Sequence, residues 1–358
     1  MDKSSRKTVN ILLLVCASSE DLQENNDGSM TILIFNKNNF FYCLILLVYI
    51  YCPLLINASS RMLTPRKLLP NTDPLKYAQE GYCVFRQQFT GEEMKLHQQT
   101  LDGMLDCLRP GEKPQFMFEP HVGSQHWRTW LNLARHPTIL DAVESVLGSD
   151  LILILSHFII KGIEDKMEIG WHQDQWYWLH GVEGDRLCTV WLAFNKTDRQ
   201  NGCMRVLPGT NQPTLLDVNV KEDDGSTITT LEVEVDKDLA DTAVDIELQP
   251  GEFSLHNAYV IHGSDSNRSQ DFRKIYTIRY ADANTTRFTP EKWPIPFFLV
   301  RGEAPNPSFY IDLRPDKDLP ADQPDYLRPD KDLPADQPDC LLVRKHRAGT
   351  HGKIPVDY

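Results

Sequence analysis

From Asp73 onward the apolar positions change their period once, at Gly148. Before it they recur at helical spacing. Asp73 to Tyr82 is helix-like and leads into a short strand, Tyr82 to Gln87. Thr90-Gly91-Glu92-Glu93 is a capping box, in which Thr90 caps the helix and Glu93 reaches back. The helix it opens runs to about Cys107, with Met94, Leu96, Leu101, Met104 and Leu108 at its apolar positions. Trp127 to Ala134 and Pro137 to Leu147 read as two further helices, the second stopped by Gly148. After Gly148 the period shortens. Leu151 to Gly162 is a nearly continuous Ile-rich run, the pattern of a buried strand. Short strands follow at Glu168 to Gln173, Leu187 to Phe194, Cys203 to Leu207, Ala243 to Leu248, Glu252 to Leu255, Ala258 to Ile261 and Lys274 to Ala281. Asn201-Gly202, Pro208-Gly209 and Pro250-Gly251 punctuate them as turns. Helices first and strands afterwards predict a mainly β protein with N-terminal helices packed on a β core. Eight strands suit a double-sheet jelly roll of the cupin kind.

Both ends of the chain differ from this middle. Residues 1–61 are rich in Asn, Phe, Ile, Leu and Tyr, and hold one apolar run, Phe40 to Ile56. That run is at the short limit for a membrane span and carries Lys or Arg on both sides, so membrane anchoring through residues 40–56 is admitted but not favoured. The composition shifts at Met62, which reads as a natural start, so residues 1–61 are expected to be an extension outside the working protein. The domain is expected over 62–305. The remainder, 306–358, repeats LRPDKDLPADQPD at Leu313 and again at Leu327, and reads as an acidic proline-rich tail.

The formal charge of -13 argues against a nucleic-acid partner, which needs a basic surface. Asp217 to Glu247 alone holds 11 acidic residues against Lys221 and Lys237. It reads as a solvated loop, or as a lid between strands that bracket the site. The eight cysteines form no CxxC pair. With Cys188 and Cys203 in apolar runs, they point to a reducing, cytoplasmic setting. Four sequons, at Asn57, Asn195, Asn267 and Asn284, keep a membrane-anchored ectodomain as an alternative.

The chemistry gathers around Gly170-Trp171-His172-Gln173-Asp174, with His262 further on. Two histidines and one carboxylate in this order are the ligand set of a non-haem Fe(II) site with three open positions. On a strand edge, His172 and Asp174 would share a face, about 6 to 7 Å apart. His262 would close the set from the end of the strand Ala258 to Ile261. An arginine beyond it, Arg273 or Arg279, has the planar fork that grips a carboxylate. Arg273 is expected to begin the strand beside the one that delivers His262. Ser264 either shares a face with His262 and donates to a cosubstrate, or is a turn serine. His256 is as well read as a structural histidine as a neighbour of the metal, and His157 lies in an apolar strand. Trp176-Tyr177-Trp178 forms either a substrate wall or packing at the barrel mouth.

Assembled, WHQD (Trp171 to Asp174), NGCMRVLPGTN (Asn201 to Asn211), PGEFSLHNAYVIHGSDSN (Pro250 to Asn267) and FRK (Phe272 to Lys274) resemble the phytanoyl-CoA dioxygenase family over about Tyr77 to Tyr280. The resemblance implies a double-stranded β-helix that uses Fe(II), 2-oxoglutarate and O2, and leaves room for ascorbate. It implies hydroxylation of a small-molecule substrate with release of succinate and CO2. It makes His172, Asp174 and His262 the iron ligands and Arg273 the cosubstrate arginine, and sets Ser264 and Trp191 in the cosubstrate pocket. The carboxylate Asp174 favours hydroxylation over halogenation, because similar halogenases leave that place to chloride. The C-terminus Pro355-Val356-Asp357-Tyr358 carries no peroxisomal signal, so a CoA ester is not implied. A catalytically inactive jelly roll that binds or scaffolds is the rival reading.

Overall fold

Two β-sheets face each other across a narrow core, and one of them is backed by helices. The computed structural model describes residues 22–24, 30–32, 74–108, 114, 117–179, 181–221, 229–289, 297–306, 310–315 and 319. Contacts divide the chain into Met1–Arg66 and Lys67–Tyr358. In the first unit, β1 (Leu22–Glu24) pairs antiparallel with β2 (Met30–Ile32). The run Phe40 to Ile56 and nearly all of the repeat tail lie outside the described residues. Among those described, no helix is long and apolar enough to cross a membrane.

The second unit opens with α1 (Pro74–Glu80), β3 (Tyr82–Phe85) and α2 (Gly91–Asp106). The capping box forms as expected: the Glu93 backbone N–H donates to the Thr90 hydroxyl at 3.2 Å, and the Glu93 carboxylate accepts from the Thr90 N–H at 2.7 Å. Met94, Leu101 and Met104 bury this helix, while Leu96 is 61% exposed and does not belong to its apolar face. Then come α3 (Pro120–Gly123), α4 (Trp127–Ala134) and α5 (Pro137–Leu147).

The strands are β4 (Leu151–Lys161), β5 (Ile169–His172), then after α6 (Gln175–Trp178) β6 (Val182–Glu183), β7 (Leu187–Ala193), β8 (Met204–Val206), β9 (Val218–Val220) and β10 (Leu231–Val233). After α7 (Lys237–Ala240) follow β11 (Val244–Ile246), β12 (Phe253–Asn257), β13 (His262–Ser264), β14 (Arg273–Asp282), β15 (Arg287–Phe288), β16 (Phe297–Arg301) and β17 (Tyr310–Asp312). The large sheet runs β17-β16-β4-β14-β7-β12-β3 and the small one β11-β8-β13-β5. This is the cupin-like jelly roll expected, with the helices before it.

Alternation sorts the side chains of the large sheet. Ile159, Trp191, Ala193 and Ile275 point inward and cluster with Met204, Val206 and Ile246 of the small sheet. Phe158, Leu192, Phe253, Tyr276 and Tyr280 point outward into the helix layer. There Trp130 packs edge-on against Phe158 with ring centroids 4.8 Å apart, and the Tyr276 and Tyr280 hydroxyls donate to the Trp130 and Ala134 carbonyls. The helices thus brace the back of the sheet whose front lines the site.

Three expectations need correction. Ala258 to Ile261 is a turn, held by the Tyr259 N–H donating to the Asn257 side chain at 2.7 Å, and the strand begins at His262. The domain end expected at 305 falls too early, because β17 pairs in parallel with β16 and Leu313 is buried. The described part of the acidic segment is no free loop: β9 and β10 pair antiparallel, and Val218 and Val233 pack with Trp171, Leu207 and Ile261 behind the small sheet.

Candidate metal and cosubstrate site

His172 ends β5 and His262 opens β13, and the two are paired residues across the antiparallel ladder. Their ring centroids lie 4.2 Å apart. Asp174 is not on a strand. It takes a right-handed helical conformation at the start of α6, which swings its carboxylate back over the two rings. Each imidazole Nε2 sits 3.7 Å from Asp174 Oδ1. One donor atom from each of the three residues lies within 4.8 Å of the others, and all three side chains are buried.

The neighbours settle which atoms are free. His172 Nδ1 meets the Gly170 carbonyl at 2.8 Å and His262 Nδ1 meets the Val260 carbonyl at 3.0 Å. A carbonyl only accepts, so both Nδ1 atoms carry the proton and both Nε2 lone pairs face the gap, the tautomer a metal needs. Asp174 Oδ2 accepts from the Thr189 hydroxyl at 3.0 Å, and His256 Nε2 stands 3.6 Å from it. Oδ1 is thereby left for a cation. Burial by itself would raise the Asp174 carboxyl, but the surrounding imidazoles of His172, His256 and His262 and the charge of Arg279 hold it well below the usual range. Burial, with the charges of His172 and His256, pushes His262 well below the ordinary histidine value. The donor set is therefore ionised at the carboxylate and neutral at His262 near pH 7, as a divalent ion requires. Gly263 allows the close pairing: a Cβ there would lie 2.8 Å from the Ile169 carbonyl oxygen.

The floor of the barrel is cationic. Arg273 begins β14 in the large sheet, facing the small sheet that carries His262 rather than lying beside it. Its guanidinium is fully buried, and Nη1 donates to the Gly202 carbonyl at 2.9 Å. Among the described residues, Nε and Nη2 have no partner. Trp191 packs on it at 5.3 Å, with its own Nε1 unpartnered among the described residues, and its ring also meets that of His256 at a steep angle, centroids 6.2 Å apart. Trp191 thus stands between the triad and the arginine. Burial pulls Arg273 down to about 10, still cationic near pH 7.

Lys161 is paired with Arg273 across the ladder and is also fully buried. Its Nζ donates to the Ser264 hydroxyl at 2.8 Å, to the Ser264 carbonyl at 3.3 Å and to the Asp265 carbonyl. When Lys161 is charged, as an anion in the site would favour, it only donates, so the Ser264 oxygen accepts from it and the serine keeps its own proton free to give. Burial, and then the charge of Arg273, pull Lys161 down to about 6.

His172, Asp174 and His262 thus meet as a triad, and Arg273, Ser264 and Trp191 lie deeper in the same barrel. Arg279 also points inward but at the level of Thr189, its neighbour across the ladder, beside Asp174. His157 is buried and stacks on Phe118 with centroids 3.8 Å apart. Trp178 belongs to the outer core, Trp176 Nε1 donates to the Leu216 carbonyl, and Tyr177 alone turns its ring towards His172, 6.2 Å away. Sequence reasoning missed Lys161 and Thr189. Their signal was present only as parity: each lies an even number of residues from an inward-facing neighbour, Ile159 and Trp191.

Fold and donor set define a jelly-roll protein with a two-histidine, one-carboxylate facial triad. A phytanoyl-CoA dioxygenase family model matches residues 77–275, more than half of the sequence, and the chain belongs to that family. The peroxisomal phytanoyl-CoA dioxygenase of Bos taurus is 30% identical over 151 residues, 41% of this chain and 44% of its own. A probable phytanoyl-CoA dioxygenase of Caenorhabditis elegans is 27% identical over 160 residues, 43% of this chain and 51% of its own. The chain spans about half the length of these curated relatives. A structure of the non-haem monooxygenase ThoJ without ligand superposes with a TM-score of 0.51 at 27% identity, covering 64% of this chain and 84% of that one.

Proposed function

We propose that the chain is an Fe(II)- and 2-oxoglutarate-dependent dioxygenase that hydroxylates a small organic substrate and releases succinate and CO2. The observation that carries the reading is the pair of orphaned donors on Arg273. A buried guanidinium with two unpartnered N–H groups is expensive to keep unless a ligand completes it. A carboxylate presented edge-on satisfies both at once. His172, Asp174 and His262 would hold the iron, which when bound supplies the oxidative chemistry with O2 and the keto acid.

The chain's own residues bind and orient. Arg273 takes the distal carboxylate of 2-oxoglutarate, and Ser264 adds its free proton to the same group. Trp191 walls the path between Arg273 and the triad and offers its indole N–H. The two Nδ1–H groups, tied to backbone carbonyls, hold the imidazoles in one tautomer. Thr189 occupies Asp174 Oδ2, so the carboxylate binds through one oxygen and leaves room for the cosubstrate. The inward residues between these groups, Ile159, Ala193 and Ile275, are apolar and keep water out.

The test is succinate formation by purified protein given Fe(II) and 2-oxoglutarate, with and without a chelator. Fe(II)-dependent succinate release, even without a second substrate, is expected. Its absence from a folded sample would favour the inactive jelly roll. A screen of metabolite extract for products that gain one oxygen then finds the substrate.

A further inference from the structure

Arg279 has no role in the scheme above, yet it is built into the site. It lies on the inner face of β14, three inward steps beyond Arg273 through Ile275 and Thr277. Six residues of strand separate the two guanidinium-bearing positions by about 20 Å of backbone. One five-carbon diacid held by Arg273 does not need the second. Across the ladder Arg279 stands opposite Thr189, whose hydroxyl holds Asp174. Its Nη1 donates to the Thr277 hydroxyl, and its buried Nε has no partner among the described residues. Among the described residues Arg279 makes no ion pair, and the carboxylate whose charge acts on it is Asp174.

Asp174 cannot serve both neighbours. A divalent ion at the triad takes the carboxylate as a ligand and turns the local charge positive. Arg279 then becomes an uncompensated cation beside a second cation, in a partly buried position. Only a further anion balances it. The cosubstrate's distal charge is already matched by Arg273 on the floor, and its other carboxylate, beside the keto group, would together with Asp174 only offset the two charges of the ion, which leaves the charge of Arg279 over. The balancing group must therefore arrive from the other end of the barrel, where the primary substrate enters.

We infer that Arg279 anchors an acidic group of the primary substrate, a carboxylate, phosphate or phosphonate, and so sets the substrate class as a small organic anion. This rests on the oxygenase reading and names its substrate chemistry. The anchored group sits beside the triad, so the carbon to be oxidised lies within a few bonds of the acid function. Thr277 orients the guanidinium through its hydroxyl, and its own Cα faces Trp191 across the ladder, which links the anchor to the cosubstrate wall.

The test uses the full chain loaded with Ni(II) and 2-oxoglutarate, so that binding is read by calorimetry without turnover. The probes are inorganic phosphate, methylphosphonate and a series of short carboxylates, each carboxylate against its own amide. The wild-type protein is expected to bind at least one anion more tightly than its neutral counterpart. Arg279→Gln should weaken that anion about 10-fold or more, Arg279→Lys should restore part of it, and neither should change 2-oxoglutarate affinity beyond about twofold. Equal binding of acids and amides by the wild type, or no binding of any anion, overturns the inference. So does a variant that loses 2-oxoglutarate instead, which would make Arg279 a cosubstrate residue. Failure of the wild type to bind 2-oxoglutarate at all would sink the oxygenase reading itself.

Discussion

Replacing Arg273 by methionine separates binding from folding more cleanly than any other change in this site. The side chain is fully buried, so its removal touches both ledgers. On the binding side, two free N–H groups meet one carboxylate, and each hydrogen bond to a charged group contributes about 1.5–3 kcal/mol. Two of them amount to roughly 3–5 kcal/mol after allowance for non-additivity, or about 200- to 5000-fold in 2-oxoglutarate affinity. On the folding side the effects oppose each other. The Gly202 carbonyl loses its donor, which costs about 1 kcal/mol. The burial of an unpaired charge disappears, and Lys161 loses the like charge that helps to depress it. Methionine fills much of the volume and adapts to the gap. Thermal stability without ligand should therefore change little, while the 2-oxoglutarate concentration for half-maximal succinate formation rises at least about 100-fold. Calorimetry with Ni(II) in place of iron measures the same loss without turnover. A half-maximal concentration within about threefold of wild type, in a folded variant, would refute the assignment of Arg273 and the arithmetic behind it.

His172→Ala and Asp174→Ala should each abolish Fe(II)-dependent succinate formation and leave the circular dichroism spectrum unchanged; turnover above about 1% of wild type would remove the residue from the ligand set. Thr189→Val frees Asp174 Oδ2 from its donor and should weaken metal binding about 10- to 100-fold, read by competition with a chromogenic chelator. Lys161 gives a pH signature. Its folded value, about 6, lies below the unfolded value near 10.5, so the unfolded chain holds the extra proton between them. Stability of the ligand-free protein should consequently rise with pH from about 6 towards 10, and Lys161→Met should lose that component. An anionic cosubstrate favours charged Lys161, so 2-oxoglutarate binding should take up a proton near pH 7.5; identical heats in buffers of different ionisation enthalpy would count against it.

The sequence showed the triad because a histidine, a carboxylate and a distant histidine are polar residues in apolar surroundings, and short motifs survive without tertiary information. It showed the helices because Thr90, Pro137 and Gly148 mark their ends by local chemistry. The same locality produced the errors. His172-Gln173-Asp174 reads as one strand edge, yet the chain leaves the ladder after His172 and enters a helical turn, and the Asp174 carboxylate reaches the metal position by that turn. Leu96 is apolar, but it lies two residues from Met94 and five from Leu101, off the face of α2 that Met94, Leu101 and Met104 bury. The segment Ala258 to Ile261 is apolar because it is buried, not because it is extended.

What stayed hidden is a consequence of covering both faces of the large sheet. A strand with one face in water alternates polar and apolar residues, and its inward positions can be read directly. In β4 every one of the 11 residues from Leu151 to Lys161 is buried, so hydrophobicity carries no period of two. Lys161 at the end of LILILSHFIIK reads as the charge that brings a strand out to solvent. Its true setting follows from parity with Ile159 and from the register that sets it against Arg273, and neither is visible until β4 and β14 are paired. The same holds for Arg273 and Arg279, which share β14, the same face and the same chemistry. Sequence alone offers them as rivals for one carboxylate. Pairing with Lys161 at one end and Thr189 at the other puts them at opposite ends of the barrel's inner face, and that separation is the ground for proposing two ligands rather than one.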